Sequence, residues 1–194
     1  MMTTDGLTVP GMLDELAEQL EFHWQFHLRP KLEGLTDEEY LWEPVAGCWS
    51  VRPRAEATAP VAAYAGTHVA DYAFPEPDPA PVTTIAWRLA HVIVGVFGMR
   101  NASHFGGPPV DYLTHPYAAD ADTALAQLDE GYARWMAGVR ALGDRLVVPV
   151  GPAEGVYADR LYVTLLLHIN REVIHHGAEI LLLRDLYRQQ PTRA

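Results

Sequence analysis

The chain has 194 residues, of which 49% are hydrophobic and 20% are charged. This length and composition fit one domain with a hydrophobic core, so we expect a single domain over residues 1–194. With 14 Lys and Arg against 25 Asp and Glu, the formal net charge is −11, which disfavours nucleic acid and anionic lipid surfaces as partners.

The cysteine content and the N-terminal residues bear on the cellular compartment. Cys48 is the single cysteine, so no internal disulfide can form and an oxidising compartment is not implied. The first residues lack the basic start and apolar run of a secretion signal, and no apolar run is long enough to cross a bilayer. We therefore expect a cytoplasmic protein that does not associate with membranes.

Apolar residues recur at helical spacing in four segments. These predicted helices cover residues 10–32, 83–104, 122–142 and 159–187, and no convincing alternation typical of strands lies between them. Four amphipathic helices predict an all-α protein, and a four-helix bundle is the architecture that we expect. In such bundles, ligand sites are built from side chains that face inward on different helices.

Two long connections flank the second predicted helix. The first spans about fifty residues and includes a predicted short helix at 36–44 and a proline-rich stretch at 74–81. The second, residues 105–112, follows the helix directly. One or both could wall a pocket, although surface crossovers fit the composition equally well.

The second helix carries a histidine on its apolar side. Trp87, His91 and Val94 follow helical spacing, so His91 is predicted to share the buried stripe. A buried histidine is most often hydrogen-bonded to a backbone carbonyl, but it is also a candidate metal ligand. Arg100, near the end of this helix with Asn101 and His104, could contact a substrate carboxylate or simply form a cationic helix terminus.

The fourth helix carries a carboxylate and an imidazole four residues apart. Glu172 and His176 are neighbours on one helical face, roughly 6 Å apart along the axis, and Ile169 and Val173 belong to the same apolar stripe. A carboxylate in an apolar interior needs a cation, a hydrogen-bond network or a cavity. A divalent metal would satisfy Glu172, and so would an arginine from another helix, with His176 as an ordinary core histidine.

Together, the two helices offer two histidines and one carboxylate. His91, Glu172 and His176 would leave coordination positions open for water or substrate, which resembles a catalytic zinc site more than a structural one. His168 lies one turn before Glu172 and is expected beside the ligands or on the outer face of the helix. His27 on the first helix could line the pocket or serve in packing.

These residues carry a resemblance to a known family. His91 in helix two, followed by Glu172-x-x-x-His176 near the C-terminus, resembles the DinB/YfiT superfamily of metal-binding four-helix bundles. The closest ligand pattern is that of the mycothiol-dependent maleylpyruvate isomerase branch. The stretch 41–52 (LWEPVAGCWSVR) also resembles a segment common in actinobacterial members.

The resemblance implies an up-down-down-up order of the helices, metal ligation by His91, Glu172 and His176, and frequent homodimers. Zinc is the usual metal, with nickel or manganese as alternatives. The chain departs from the bacillithiol-transferase and damage-inducible branches, which typically have a histidine in place of Glu172. We also expect no counterpart of the additional C-terminal domain of the mycothiol isomerase.

Two classes of chemistry suit a metal site with an open position. The metal could activate a small-molecule thiol such as mycothiol for transfer to an electrophile, or it could activate water for hydrolysis of an amide or ester. Hydrolysis usually needs a general base beside the metal, and Glu172 is better placed as a ligand. We therefore favour a thiol S-transferase or isomerase over a hydrolase, and a non-catalytic metal-binding or ligand-binding stress protein is the third alternative.

Overall fold

The computed structural model describes residues 8–57 and 61–190, and helices make up most of this part of the chain. The α-helices are α1 (Val9–Phe22), α2 (Asp37–Leu41), α3 (Ile85–His91), α4 (Met99–Phe105), α5 (Ala121–Arg140) and α6 (Tyr162–Arg188). A π-helical turn, His23–Leu28, extends α1, and another, Val92–Gly98, joins α3 to α4 without a break. Four long helical segments therefore lie where the periodicity predicts them.

Side chains at the helix starts explain the observed boundaries. Thr84 accepts a hydrogen bond from the backbone N–H of Trp87 and begins α3. Thr36 and Glu39 form a reciprocal capping box at α2. Asp120 caps α5 by accepting from the N–H of Thr123, so this helix begins slightly before the predicted start at 122.

A small sheet occupies part of the connection between α2 and α3. Its strands β1 (Val51–Pro53), β2 (Val61–Ala65) and β3 (His68–Tyr72) pair in the antiparallel order β1-β3-β2. The prediction of no strands is wrong for this segment. With three residues, the last of them proline, β1 is too short for an alternating pattern to be recognised.

Asp71 attaches the sheet to the start of α3. Its carboxylate, which is fully buried, accepts hydrogen bonds from the backbone N–H of Ser50 at 3.0 Å and from Nε of Arg52 at 2.7 Å. Its backbone carbonyl accepts from Nε1 of Trp87 at 2.8 Å. These contacts fix the sheet beside the helix that carries His91.

The hydrophobic core lies between the long helices. α1 packs against α5 and α6, and α3 packs against the same two helices. Side chains that are fully or almost fully buried fill the space between them, including Leu20, Leu89, Trp135, Ile169 and Val173. None of the helices in the described part of the chain has the length and apolar character of a membrane span.

Candidate metal centre

The three predicted ligands meet between α3 and α6. One nitrogen or oxygen atom from each of His91, Glu172 and His176 lies within 4.8 Å of the others. Nε2 of His176 is 3.3 Å from Oε2 of Glu172, and the two imidazole rings stand edge to face with centroids 4.7 Å apart. The last residue of α3 and two positions one turn apart on α6 therefore form one cluster.

The spacing of the His176 and Glu172 atoms suits a divalent metal ion, and the His91 atom lies within 4.8 Å of both. Two ligands placed about 2.0 Å from a tetrahedral zinc ion stand about 3.3 Å from each other. That is the separation between the His176 nitrogen and the Glu172 oxygen. Two imidazoles and one carboxylate are also a donor set that zinc accepts, so the residues present fit the metal that the resemblance implies.

A hydrogen bond to a carboxylate orients His176. Nδ1 of His176 lies 2.7 Å from Oε2 of Glu179, and Arg88 of α3 places its Nε 3.2 Å from the same oxygen. Because an ionised carboxylate only accepts hydrogen bonds, Nδ1 carries the proton. The lone pair on Nε2 then faces Glu172 and is available to a metal.

A tyrosine from the second long connection holds His91. Oη of Tyr112 lies 2.8 Å from Nδ1 of His91, whose ring stacks on Trp87 at a centroid distance of 5.8 Å. The π-helical turn Val92–Gly98 begins directly after His91, and π-turns are frequent at functional sites. Within it, Gly95 leaves room for the Tyr112 hydroxyl, since a Cβ atom at this position would lie 2.0 Å from Oη.

The pKa values of His91 and Glu172 are both shifted in the direction that favours metal binding at neutral pH. Burial, with a smaller contribution from His176, lowers the pKa of His91 to about 4, so its imidazole is neutral. Burial acts to raise the pKa of Glu172, but His168, His176 and Arg171 outweigh it and hold this pKa below its ordinary value. Neutral imidazoles and an ionised carboxylate are the forms that bind metals.

An aromatic cavity of about 550 Å³ opens beside His91. Both long connections contribute to its wall, which also includes His91 itself. Its apolar lining consists of Trp49, Tyr72, Phe74, Trp87, Tyr112 and Leu113. A cavity of this size and character suits a small, largely apolar molecule.

His168 and His175 lie near the cluster in different roles. Nδ1 of His168 is 3.4 Å from Oε1 of Glu172 and accepts a hydrogen bond from Arg171, so His168 contacts a candidate ligand. His175, His176 and Glu179 also bring ligand atoms within 4.8 Å of one another. His175 is exposed, and Glu179 lies at hydrogen-bonding distance from His176. We therefore interpret Glu179 as a residue that orients the His176 ring, not as a ligand of a second metal.

His27 lies apart from the candidate centre. Its side chain is exposed and contacts the ring of Phe22, with centroids 5.2 Å apart. Leu28, four residues after the buried Trp24, occupies the next buried position of this helical segment, which His27 does not. The π-turn at this end of α1 gives more residues per turn than the assumed period, and this turns His27 outward.

The residues near the end of the second helix separate into two groups. Asn101 is buried and donates to the backbone carbonyl of Gly131, and His104 is buried against Glu154 at 2.9 Å. Both stabilise the packing of α4. Arg100 reaches a cavity and places its Nη2 3.2 Å from Glu154.

Three residues of the cluster were missed in the sequence. Glu179 follows His176 by three residues, which is a spacing that puts both on one helical face. Arg88 precedes His91 by three residues in the same way. Tyr112 stands in a connection without periodicity, and no pattern relates it to His91.

The chain matches the family model described as the DinB superfamily over residues 19–180. This stretch contains His91, Glu172 and His176, as well as both long connections. No curated protein and no solved structure matched the chain.

Proposed function

The chain belongs to the DinB superfamily, and on this premise we propose that it is a metal-dependent thiol transferase or isomerase. His91, Glu172 and His176 would hold the metal, with zinc as the first choice and nickel or manganese as alternatives. The observation that carries the proposal is the convergence of three donor atoms from two helices at the edge of an aromatic cavity. Mycothiol is the thiol that the nearest ligand pattern suggests.

When bound in a site with three protein ligands, zinc lowers the pKa of a coordinated thiol or water molecule. The chain itself supplies orientation. Glu179 fixes the ring of His176, and Tyr112 fixes the ring of His91. Positioned groups of this kind keep the reacting atoms in place.

Tyr112 has a second role in the proposal. If Nε2 of His91 faces the metal, Nδ1 carries the proton and donates a hydrogen bond to Oη of Tyr112. The tyrosine's own hydroxyl hydrogen can then be donated into the aromatic cavity, to an oxygen of the electrophile. Burial raises the pKa of Tyr112 to about 12, so the hydroxyl stays neutral at pH 7 and acts as a donor.

Hydrolysis of an amide or ester is the alternative reaction. It needs a group that takes a proton from water, and Glu172 is committed to the ligand cluster by its 3.3 Å distance to His176. Glu179 is likewise engaged with His176 and Arg88. Thiol transfer requires fewer catalytic side chains, because the metal alone stabilises the thiolate, which is the reactive form of the thiol.

Metal analysis of protein purified without chelators tests the ligand set. About one equivalent of metal is expected in the wild type, with strong loss in His91→Ala and Glu172→Ala at unchanged helical content. His27→Ala, which changes an exposed histidine outside the candidate centre, is the control. Full metal content in either ligand variant would overturn the proposal.

Incubation of the metal-loaded protein with mycothiol and a panel of electrophiles tests the reaction. We expect adduct formation or isomerisation above the spontaneous rate, lost in His91→Ala. Hydrolysis of esters or amides without any thiol would instead favour the hydrolase. A protein that binds metal but accelerates neither reaction would be a metal-binding or ligand-binding stress protein.

Three finer expectations stay predictions. These are the up-down-down-up helix order, action in the cytoplasm and assembly into homodimers, all of which accompany the resemblance or the composition. Light scattering coupled to gel filtration measures the last of them directly.

A further inference from the structure

A second cavity, of about 500 Å³, runs along the first turns of α6 and ends close to Glu172. Arg160 stands just before the helix, and His168 and Arg171 follow on its cavity side. Arg100 and Glu154 face them across the opening. This cavity is distinct from the aromatic one, with which it shares no lining residue.

The charges around this cavity do not balance. Three guanidinium groups line it against a single carboxylate, although the chain as a whole carries a net charge of −11. Glu154 is already paired with His104 and Arg100, which outweigh its burial and hold its pKa below the ordinary value. The ionised Glu154 thus offsets Arg100, Glu172 lies 3.4 Å from Arg171, and the charge of Arg160 remains without a partner carboxylate among the lining residues.

Arg160 is available to a ligand, and Arg171 is exposed although it already has partners. Within residues 8–57 and 61–190, the guanidinium group of Arg160 has no hydrogen bond or ion pair. Arg171 donates to His168 at 2.7 Å and lies 3.4 Å from Glu172, but its side chain is 69% exposed. Guanidinium groups hold carboxylates and phosphates through paired N–H donors, so this edge of the cavity matches an anion.

The floor of the cavity is apolar. Leu165 and Val150 are buried and line it, and Leu167 adds a partly exposed apolar wall. An inorganic ion would leave this apolar surface exposed to water, whereas the apolar part of an organic anion would bury it. The lining therefore matches a molecule with an apolar body and one anionic group.

We propose that this cavity binds a small organic anion, with Arg160 holding its carboxylate or phosphate group, Arg171 adding positive charge at the rim and Leu165 beneath its apolar body. This proposal rests on the proposed function, because it takes the anion to be a substrate or co-substrate of the metal centre. His168 connects the cavity to that centre, since it lines the cavity and lies 3.4 Å from Glu172.

Calorimetric titration with three matched probes tests this assignment. Phenylacetate and phenyl phosphate separate the two anionic groups, and phenylacetamide keeps the apolar body without the charge. We expect at least one anion to bind ten times more tightly than the amide. The double variant Arg160→Gln/Arg171→Gln should remove this difference, while Arg134→Gln, an arginine of α5 outside the cavity, should leave it unchanged.

Titrations of metal-free and metal-loaded protein separate this proposal from the proposed function. We expect affinities within about threefold of each other, because the arginines and not the metal hold the anion. Anion binding that appears only with metal, equal binding of anion and amide, or full affinity in the double variant would each overturn the assignment. A protein that takes up no metal but binds an anion through Arg160 would overturn the metal centre alone.

Discussion

Nδ1 of His176 lies 2.7 Å from Oε2 of Glu179, one turn further along α6. This pair decides which nitrogen of His176 faces the candidate metal centre, because the carboxylate holds the proton on Nδ1. Arg88 links the pair to α3 through its contact with the same oxygen at 3.2 Å. The two helices that carry the candidate ligands are therefore connected on the far side of His176 as well.

Glu179→Gln is the first prediction. Glutamine keeps the size of the side chain but loses the charge that favours a protonated Nδ1, so zinc affinity should fall by about 10- to 100-fold. Competition against a chromogenic chelator measures this change. Glu130→Gln alters an exposed glutamate of α5 and serves as the control. Equal zinc affinity in both variants would contradict an orienting role for Glu179.

Gly95→Ala is the second prediction. The new Cβ would lie 2.0 Å from Oη of Tyr112, so the tyrosine must move away from His91. We expect a loss of about 1–3 kcal/mol in the free energy of unfolding, measured with urea, together with weaker zinc binding. In Gly131→Ala the new Cβ meets Phe97 at 3.2 Å, far less closely, which makes it the control for the substitution itself.

A double variant isolates the contact with the tyrosine. Tyr112→Phe removes the hydroxyl, so the nearest remaining atom of this ring is the one that stood 3.0 Å from the new Cβ. Combined with Gly95→Ala, it should cost less stability than the sum of the two single changes. Additive losses would show that Gly95 is needed for another reason.

The sequence pattern could single out the three candidate ligands because they lie on helices. Glu172 and His176 are four residues apart, and His91 follows Trp87 by the same spacing, so helical periodicity alone places each on an inward face. Their convergence depends on how α3 and α6 pack, which no local pattern specifies. Distances between atoms of different helices are the part that only the structure supplies.

Helical periodicity could not predict the contact of Tyr112 with His91 or the small sheet. Tyr112 meets His91 across a connection of irregular backbone, where side-chain direction has no period. The sheet depends on pairing between β1 and β3, whose partners such as Val51 and Ala70 are distant in sequence. Non-local pairing of short strands leaves little trace in local composition.

The third prediction concerns stability at acid pH. Glu39 is 4% exposed and receives hydrogen bonds from Arg184 and Arg188 at 3.0–3.2 Å. Burial acts to raise the pKa of Glu39, but the hydrogen bonds from Arg184 and the Thr36 N–H, together with the charge of Arg188, hold it below its ordinary value. The folded state therefore binds this proton more weakly than the unfolded state does.

The sign of the effect follows from that difference. The ionised Glu39 stabilises the fold above the unfolded pKa of about 4.3, and this contribution is lost as the pH falls through the lower folded pKa. Glu39→Gln should cost about 3–5 kcal/mol at pH 7, since it leaves the buried Arg184 without a counter-charge and with only neutral acceptors, such as the carbonyl of Glu33. Urea titrations between pH 7 and pH 2.5 should show this cost shrinking below about pH 4. Glu38→Gln, at the exposed neighbouring position, should show neither effect.

Metal removal gives the fourth prediction. A ligand that binds only the folded state stabilises it by about 4 kcal/mol when its free concentration is a thousand times the dissociation constant. For a chain of 194 residues, this corresponds to a rise in Tm of roughly 8–16 °C. A chelator should therefore lower the Tm of the zinc-loaded wild type by that amount in differential scanning calorimetry. His176→Ala should show no such shift, because it lacks the nitrogen 3.3 Å from Glu172, whereas His27→Ala, at an exposed position outside the candidate centre, should keep it. Equal shifts in all three proteins would mean that zinc acts elsewhere on the chain.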